Sequence, residues 1–160
     1  MARVLVMASN FPRWQGDSWS PFILYQAEGM TRRGHEVHVL APHAPGAAMT
    51  EMFGEVRVHR FRYAPDRWQV LAYGGGILLN LRRNPLAWAL VPMFLVAELL
   101  AMRRIVRRYR IDLIHAHWFI PQGLIAALGS LTGRPIVMTA LAGDVFATRD
   151  RLRRGLLRHA

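Results

Sequence analysis

The stretch from Asp112 to Gly123, Asp-Leu-Ile-His-Ala-His-Trp-Phe-Ile-Pro-Gln-Gly, most constrains the fold. It reads as a short buried strand that stops in a polar loop and restarts as a helix. Leu113 and Ile114 supply the strand, and Pro121 suits a first helical position, where its missing N–H is not needed. Gly123 allows close approach of a ligand or another backbone. In α/β proteins such strand-to-helix turns are the usual place for a binding site.

The rest of the chain repeats the pattern. Arg3 to Ala8 reads as a central parallel strand. Ser9 to Trp19 is a polar and aromatic loop. Ser20-Pro21 reads as an N-cap followed by a first-turn proline, with Ile23, Ala27 and Met30 on one helical face. Gly34 ends that helix, and Glu36 to Ala41 is a second strand, completing a βαβ unit. His43 to Gly54 reads as loop. Val56 to Tyr63 reads as a strand near the sheet edge with one wet face. Gly74-Gly75-Gly76 marks a bend and lacks the lysine of a phosphate loop.

Asn84-Pro85 starts a long helix that Pro92 is expected to kink. Leu95, Leu99, Met102, Val106 and Tyr109 form its apolar stripe, with Arg103, Arg104, Arg107 and Arg108 off it. The run from Leu86 to Met102 approaches the ~20 apolar residues of a membrane span, and a buried or surface-dipping helix is expected in preference. Leu124, Leu128 and Leu131 are expected to bury the next helix, and Pro135 to Ala140 reads as another strand. The final pattern, Asp150 to Ala160, stops without a terminator, so residues 1–160 are expected to be one domain cut within its last helix. This alternation predicts an α/β, doubly wound, Rossmann-like parallel sheet with helices on both faces.

Composition narrows the partners. The 160 residues carry a formal charge of +11, and all 21 basic side chains of the Lys+Arg class are arginine. Such a balance suggests an anionic partner, although biased base composition produces the same usage. The arginines are scattered and no reading motif accompanies them, which argues against nucleic acid. Cysteine is absent, excluding disulfides and thiolate sites.

The loops Ser9–Trp19, His115–Pro121 and Leu141–Asp144 should meet at the carboxyl ends of the strands. Arg13 could bind an anion or sit in solvent. Gly16 is either a turn glycine or lets backbone N–H groups face a phosphate. His115 and His117 are expected to point to opposite sides of the strand, which leaves no joint metal site. His117 is favoured for the pocket and His115 for a packing role. Trp14, Trp19 and Trp118 could stack on a sugar or fill the core, and Asp144 is either a hydroxyl acceptor or a helix cap.

Five pieces together carry a resemblance: Phe11-Pro12 with Gly16 and Pro21-Phe22; Arg33-Gly34-His35-Glu36-Val37-His38-Val39-Leu40; Asp112 to His117; Pro121 with Gly123; and Thr139 to Phe146. Combined, they resemble the N-terminal, acceptor-binding domain of family 4 glycosyltransferases of the GT-B fold, over nearly the whole chain. The resemblance implies a transferase that moves a sugar, with retention, from a nucleotide-sugar to a glycan or lipid-linked acceptor. It implies no metal or organic cofactor, and a cleft shared with a C-terminal donor-binding domain that is absent from this sequence. Gly16 would approach the donor phosphates, and His117 (the candidate catalytic group) and Asp144 would line the cleft, with Arg13, Trp118 and Gly123 as further binding candidates. Polysaccharide or glycolipid synthesis in the cytoplasm, peripheral to the inner membrane face, is the expected setting. One departure stands out: the family's His-Gly-x-Asp is here Leu141-Ala142-Gly143-Asp144. Leucine cannot exchange a proton, so the alternative is a non-catalytic or split-enzyme subunit that docks a separate donor domain.

Overall fold

The computed structural model describes residues 1–129 and 133–141. Six strands form one sheet in the order β3-β4-β2-β1-β5-β6. They are β1 (Arg3–Met7), β2 (Glu36–Pro42), β3 (Thr50–Phe53), β4 (Val56–Phe61), β5 (Leu113–His117) and β6 (Ile136–Thr139). All pairings are parallel except β3 with β4. The sheet is therefore mixed, with an antiparallel edge strand inside the segment expected to be loop. Gly54 (φ +57) makes the turn between β3 and β4. With β3 outside it, β4 is not at the edge. Its faces are covered by Tyr109 over His59 and by the Pro12 and Arg13 carbonyls over Arg60, which leaves Arg57 as its exposed residue instead of a whole wet face.

Helices lie on both faces. α1 (Pro21–Thr31) covers one, burying Ile23 and Ala27 with Val4, Val6, Val37 and Val39. Its start differs from expectation. Ser20 sits at φ 50 and makes no side-chain cap. Its end follows expectation: Gly34 (φ +81) donates to the Thr31 carbonyl at 2.8 Å, and His35 N–H to Met30 at 3.2 Å. This pair of bonds satisfies the orphan carbonyls at low cost because glycine tolerates the left-handed conformation.

The other face carries α2 (Ile77–Arg83), α3 (Leu90–Arg108) and α4 (Leu124–Leu128). Asn84 caps the turn Pro85–Ala89, its Oδ1 accepting from Leu86 N–H at 3.1 Å. Pro92 falls in the first turn of α3, where an N–H has no intrahelical partner, so it starts the helix instead of kinking its middle. The buried stripe of α3 is Phe94, Glu98, Met102, Ile105 and Val106. Leu95 and Leu99 flank it, one position round from the predicted centre. α4 likewise buries Ile125 and Ala126 and exposes Leu124 and Leu128, because the wide turn before it rotates the helix. Leu131 and the pattern from Asp150 to Ala160 lie outside the described residues.

α3 runs antiparallel to the strands it covers. Phe94, near its start, packs on Phe61 and Tyr63 with ring centroids 5.0 and 5.1 Å away, at and beyond the carboxyl end of β4. Tyr109, just past its end, packs on His38 and His59 at 4.3 and 5.1 Å. The amino end of α3 is thus level with the carboxyl ends of the strands.

Candidate functional site

The chain passes from β1 to β2 and β4 on one side, then returns to β5 and β6 on the other. Strand order therefore reverses between β1 and β5, the point at which open α/β sheets take their ligands. Two of the three expected loops, Ser9–Trp19 and His115–Pro121, lie at these adjacent strand ends, although His115 to His117 belong to β5 and the loop proper starts at Trp118. The third begins at Leu141. Its continuation, including Asp144, lies outside the described residues.

β5 delivers both histidines to one face. Alternate residues of a strand point the same way, so the expectation of opposite sides is corrected: the rings lie 4.5 Å apart and tilted by 32°. This is the face that α1 covers, since His115 pairs in register with Val6. The two rings are bonded differently. His115 Nε2 shares a 2.8 Å hydrogen bond with Thr139 Oγ1 on β6. His117 is 1% exposed, and neither of its ring nitrogens has a partner among the described residues. Burial, with a smaller effect from His115, pulls the His117 pKa down to about 4, so the ring is neutral at pH 7. A buried neutral imidazole offers one donor and one acceptor, and leaving both unused costs on the order of 1–3 kcal/mol per group.

Trp118 follows in a positive-φ conformation (φ 70) and meets Phe22 of α1 edge-on at 6.4 Å. The chain then makes a wide turn, Phe119–Gly123, closed by Gly123 N–H donating to the Trp118 carbonyl at 3.0 Å. Pro121 lies inside this turn, not at the start of α4. Gly123 is buried there. A Cβ on it would come 2.7 Å from Met138 Sδ and 3.3 Å from the Trp118 carbonyl, so its small size admits neighbouring protein.

The turn is held from behind. Gln122 Nε2 donates to Glu98 Oε1 at 3.2 Å, and both side chains are fully buried. Glu98 Oε2 and Gln122 Oε1 lack other partners. Burial raises the Glu98 pKa to about 8, against the lowering effect of the Gln122 bond. The carboxyl is therefore protonated at pH 7, and an O–H on Oε2 directed at Gln122 Oε1 would satisfy both orphan atoms in one acid–amide ring. Glu98 lies within the apolar run from Leu86 to Met102 and was given no role from the sequence. A lone acid within such a run was the available signal.

The first loop is closed on itself. Arg13 grips Asp17 through Nε (2.7 Å) and Nη2 (3.1 Å), and Arg13 N–H donates to the same carboxylate at 2.8 Å. These bonds hold the Asp17 pKa down to about 2. Arg13 also lies 4.4 Å over the Trp14 ring. Gly16 (φ +83) forms the tight turn from Trp14 to Asp17, and the space where its Cβ would sit is open. Trp19 lies beyond the clamp, and its backbone N–H donates to Asp17 Oδ1 at 3.3 Å. Arg60 anchors this loop from β4. Its Nη2 donates to the Pro12 carbonyl (2.7 Å), the Arg13 carbonyl (3.1 Å) and Glu51 (3.1 Å). An arginine alternating with apolar residues reads as solvent-facing, which is why the sequence hid this role. Among the described residues no group of three or more His, Asp or Glu side chains is placed to hold a metal ion.

Residues 20–160 match the family model of the glycosyl transferase 4-like domain. No curated protein matches the chain in sequence. Among solved structures, sucrose-phosphate synthase from Thermosynechococcus elongatus is similar in two forms. One has a TM-score of 0.60 at 13% identity, over 88% of this chain and 33% of that one. The other has a TM-score of 0.57 at 12% identity, over 90% of this chain and 66% of that one. The glycosyltransferase SsfS6 of Streptomyces sp. SF2575, complexed with thymidine diphosphate, superposes with a TM-score of 0.53 at 17% identity, over 88% of this chain and 38% of that one. The chain thus spans between a third and two thirds of these neighbours, and its sheet and helices form one Rossmann-like half of their GT-B architecture. The chain belongs to the glycosyl transferase 4-like family.

Proposed function

We propose that this chain is the acceptor-binding half of a sugar transferase, and that His117 is its hydrogen-bonding contact to the reacting sugars. The observation that carries the reading is the buried His117 ring, unpartnered on both nitrogens, at the end of β5 where strand order reverses. A neutral imidazole suits sugar hydroxyls, donating to one oxygen and accepting from another. The donor is a nucleotide-sugar, as the thymidine diphosphate on the SsfS6 neighbour suggests. In the transfer, the bond from the anomeric carbon to the diphosphate breaks. An acceptor hydroxyl oxygen bonds to that carbon with the configuration retained, and the hydroxyl proton leaves with the diphosphate.

Gly16 marks the loop whose backbone approaches the diphosphate. Arg13 adds positive charge there while its fork stays on Asp17, and Trp118 with Phe22 offers an aromatic wall to the acceptor. The reading includes no resident metal or organic cofactor. A donor-binding domain, in cis or in trans, completes the cleft.

The test is sugar transfer from a panel of nucleotide-sugars by the chain joined to or mixed with its donor domain. His117→Ala is expected to lower turnover at least tenfold, and His115→Ala much less, after correction for folded fraction. Equal turnover of His117→Ala and wild type would refute the assignment. Leu141 favours a second reading, a non-catalytic or split-enzyme subunit, because it cannot exchange a proton. Tight docking to a donor domain with no transfer from any donor would select it.

A further inference from the structure

We propose that the outward face of Pro85–Arg108 rests on an anionic lipid bilayer, its apolar end among the acyl chains and its arginine end at the phosphates. The segment is long and apolar enough to cross a membrane. Its inner stripe, however, is packed on the sheet through Phe94, Met102 and Ile105, so it lies along the domain surface.

The face turned away from the sheet is apolar where a water-facing helix would be polar. Leu86 is 84% exposed, Trp88 58%, Met93 48%, Val96 56% and Leu100 56%. Met93, Val96 and Leu100 fall on one face of α3 by their spacing, and Leu86 and Trp88 add exposed apolar surface in the turn before it. Such an exposed apolar ridge marks a contact surface. The same stripe then changes character. Arg103, Arg104, Arg107 and Arg108 line an open groove with Leu100. None of the four is within ion-pair distance of a carboxylate among the described residues.

This division selects the occupant. A bilayer with anionic headgroups offers acyl chains to the ridge and phosphates to the arginines, whose stems reach from one zone to the other. Trp88, beside Leu86 at the apolar end, adds an exposed aromatic ring to the lipid-facing zone. A second copy would bring its own four arginines and no carboxylate to meet them. Nucleic acid would leave the ridge in water.

The placement has a consequence for the cleft. The apolar end of α3 is level with the carboxyl ends of the strands, the same edge that carries His117. Seating that end in a bilayer brings the cleft rim to the membrane, where a lipid-linked acceptor would be held. Only this consequence rests on the transfer reading, since the lipid contact is measured without sugar transfer.

The test is flotation of the purified chain with phosphatidylcholine vesicles, with and without phosphatidylglycerol. Binding is expected on the anionic vesicles and is expected to weaken with added salt. Each arginine of the four replaced by glutamine should lower the partition coefficient about fivefold. Val96→Asp with Leu100→Asp should abolish binding and leave the circular dichroism unchanged, because both positions are exposed. Vesicle lipids brominated on the acyl chains should quench fluorescence in the wild type, and Trp88→Phe should remove most of that quenching. Equal recovery on neutral and anionic vesicles, no flotation, or a dimer that the aspartate pair dissociates without lipid would overturn the proposal.

Discussion

Glu98→Gln should convert a pH-dependent fold into one less sensitive to alkali. In the native chain Glu98 is fully buried and keeps its proton up to about pH 8, whereas its ordinary value is 4.5. Between these limits the unfolded chain has released a proton that the native chain still holds, so stability falls as pH rises. The contribution is fully present below pH 4.5 and is lost as pH climbs through about 8. At about 1.36 kcal/mol per pH unit, the loss from pH 5 to pH 8 is roughly 3 to 4 kcal/mol.

Glutamine has the shape of the protonated acid. Its amide can donate to Gln122 Oε1 and accept from Gln122 Nε2, so the ring is kept without a titrating proton. The assay is denaturant unfolding of both proteins across that pH range, read as the difference between them. The histidines titrate in both chains and cancel. The expected result is near-equal stability at pH 5 and a glutamine variant more stable by roughly 3 kcal/mol at pH 8, about 10 °C in Tm. Parallel stability curves would refute the reasoning, since they would mean that Glu98 is ionised in the native state or not buried.

Three further outcomes follow from the site. Asp17→Asn removes the charge that Arg13 grips at two points. It should cost about 1–2 kcal/mol and expose the Ser9–Trp19 loop to limited proteolysis. In the wild type that clamp should persist until pH falls toward about 2, where Asp17 takes a proton. Arg60→Met strips the Pro12 and Arg13 carbonyls and Glu51 of their shared donor. Urea unfolding should show a loss of roughly 3 kcal/mol, in keeping with a broken buried ion pair. His59, 3.0 Å from His38, is held near a pKa of about 4 first by burial and then by its neighbours' charges. The unfolded chain takes up that proton from pH 6.5 downward while the native one refuses it, so stability falls with acid. His59→Gln should make this acid limb less steep in a thermal-melt series from pH 7 to pH 4, with His117 still contributing to what remains.

The parts of the fold legible in the sequence were those set by local chemistry. The apolar runs of β1, β2 and β5 and the terminating Gly34 need only their neighbours in the chain to be read. The point where strand order reverses was legible too, because alternating strands and helices allow few sheet orders. The rest depended on partners distant in sequence. β3 exists because Thr50–Phe53 finds β4 across a turn, and nothing in Thr-Glu-Met-Phe requires it alone. Arg60 looked solvated because the loop carbonyls that bury it lie 47 and 48 residues away. The histidine pair is different. Its geometry was readable from the period of a strand, which places residues two apart on one face. What was not readable is the division of labour between the two rings, because that is set by Thr139 on β6.

That division bears on how the cleft works. Thr139 occupies His115 and fixes that ring. His117 is in register with the same threonine across the strand pair, yet keeps both nitrogens unused. A structural histidine in a core would be expected to find at least one bond, since an orphan polar group is costly. Glu98 and Gln122, on the opposite face of the sheet, hold the turn that follows Trp118. The unused capacity of the ring is a feature of the end of β5 itself. It would be satisfied most economically by hydroxyl groups entering at the end of β5.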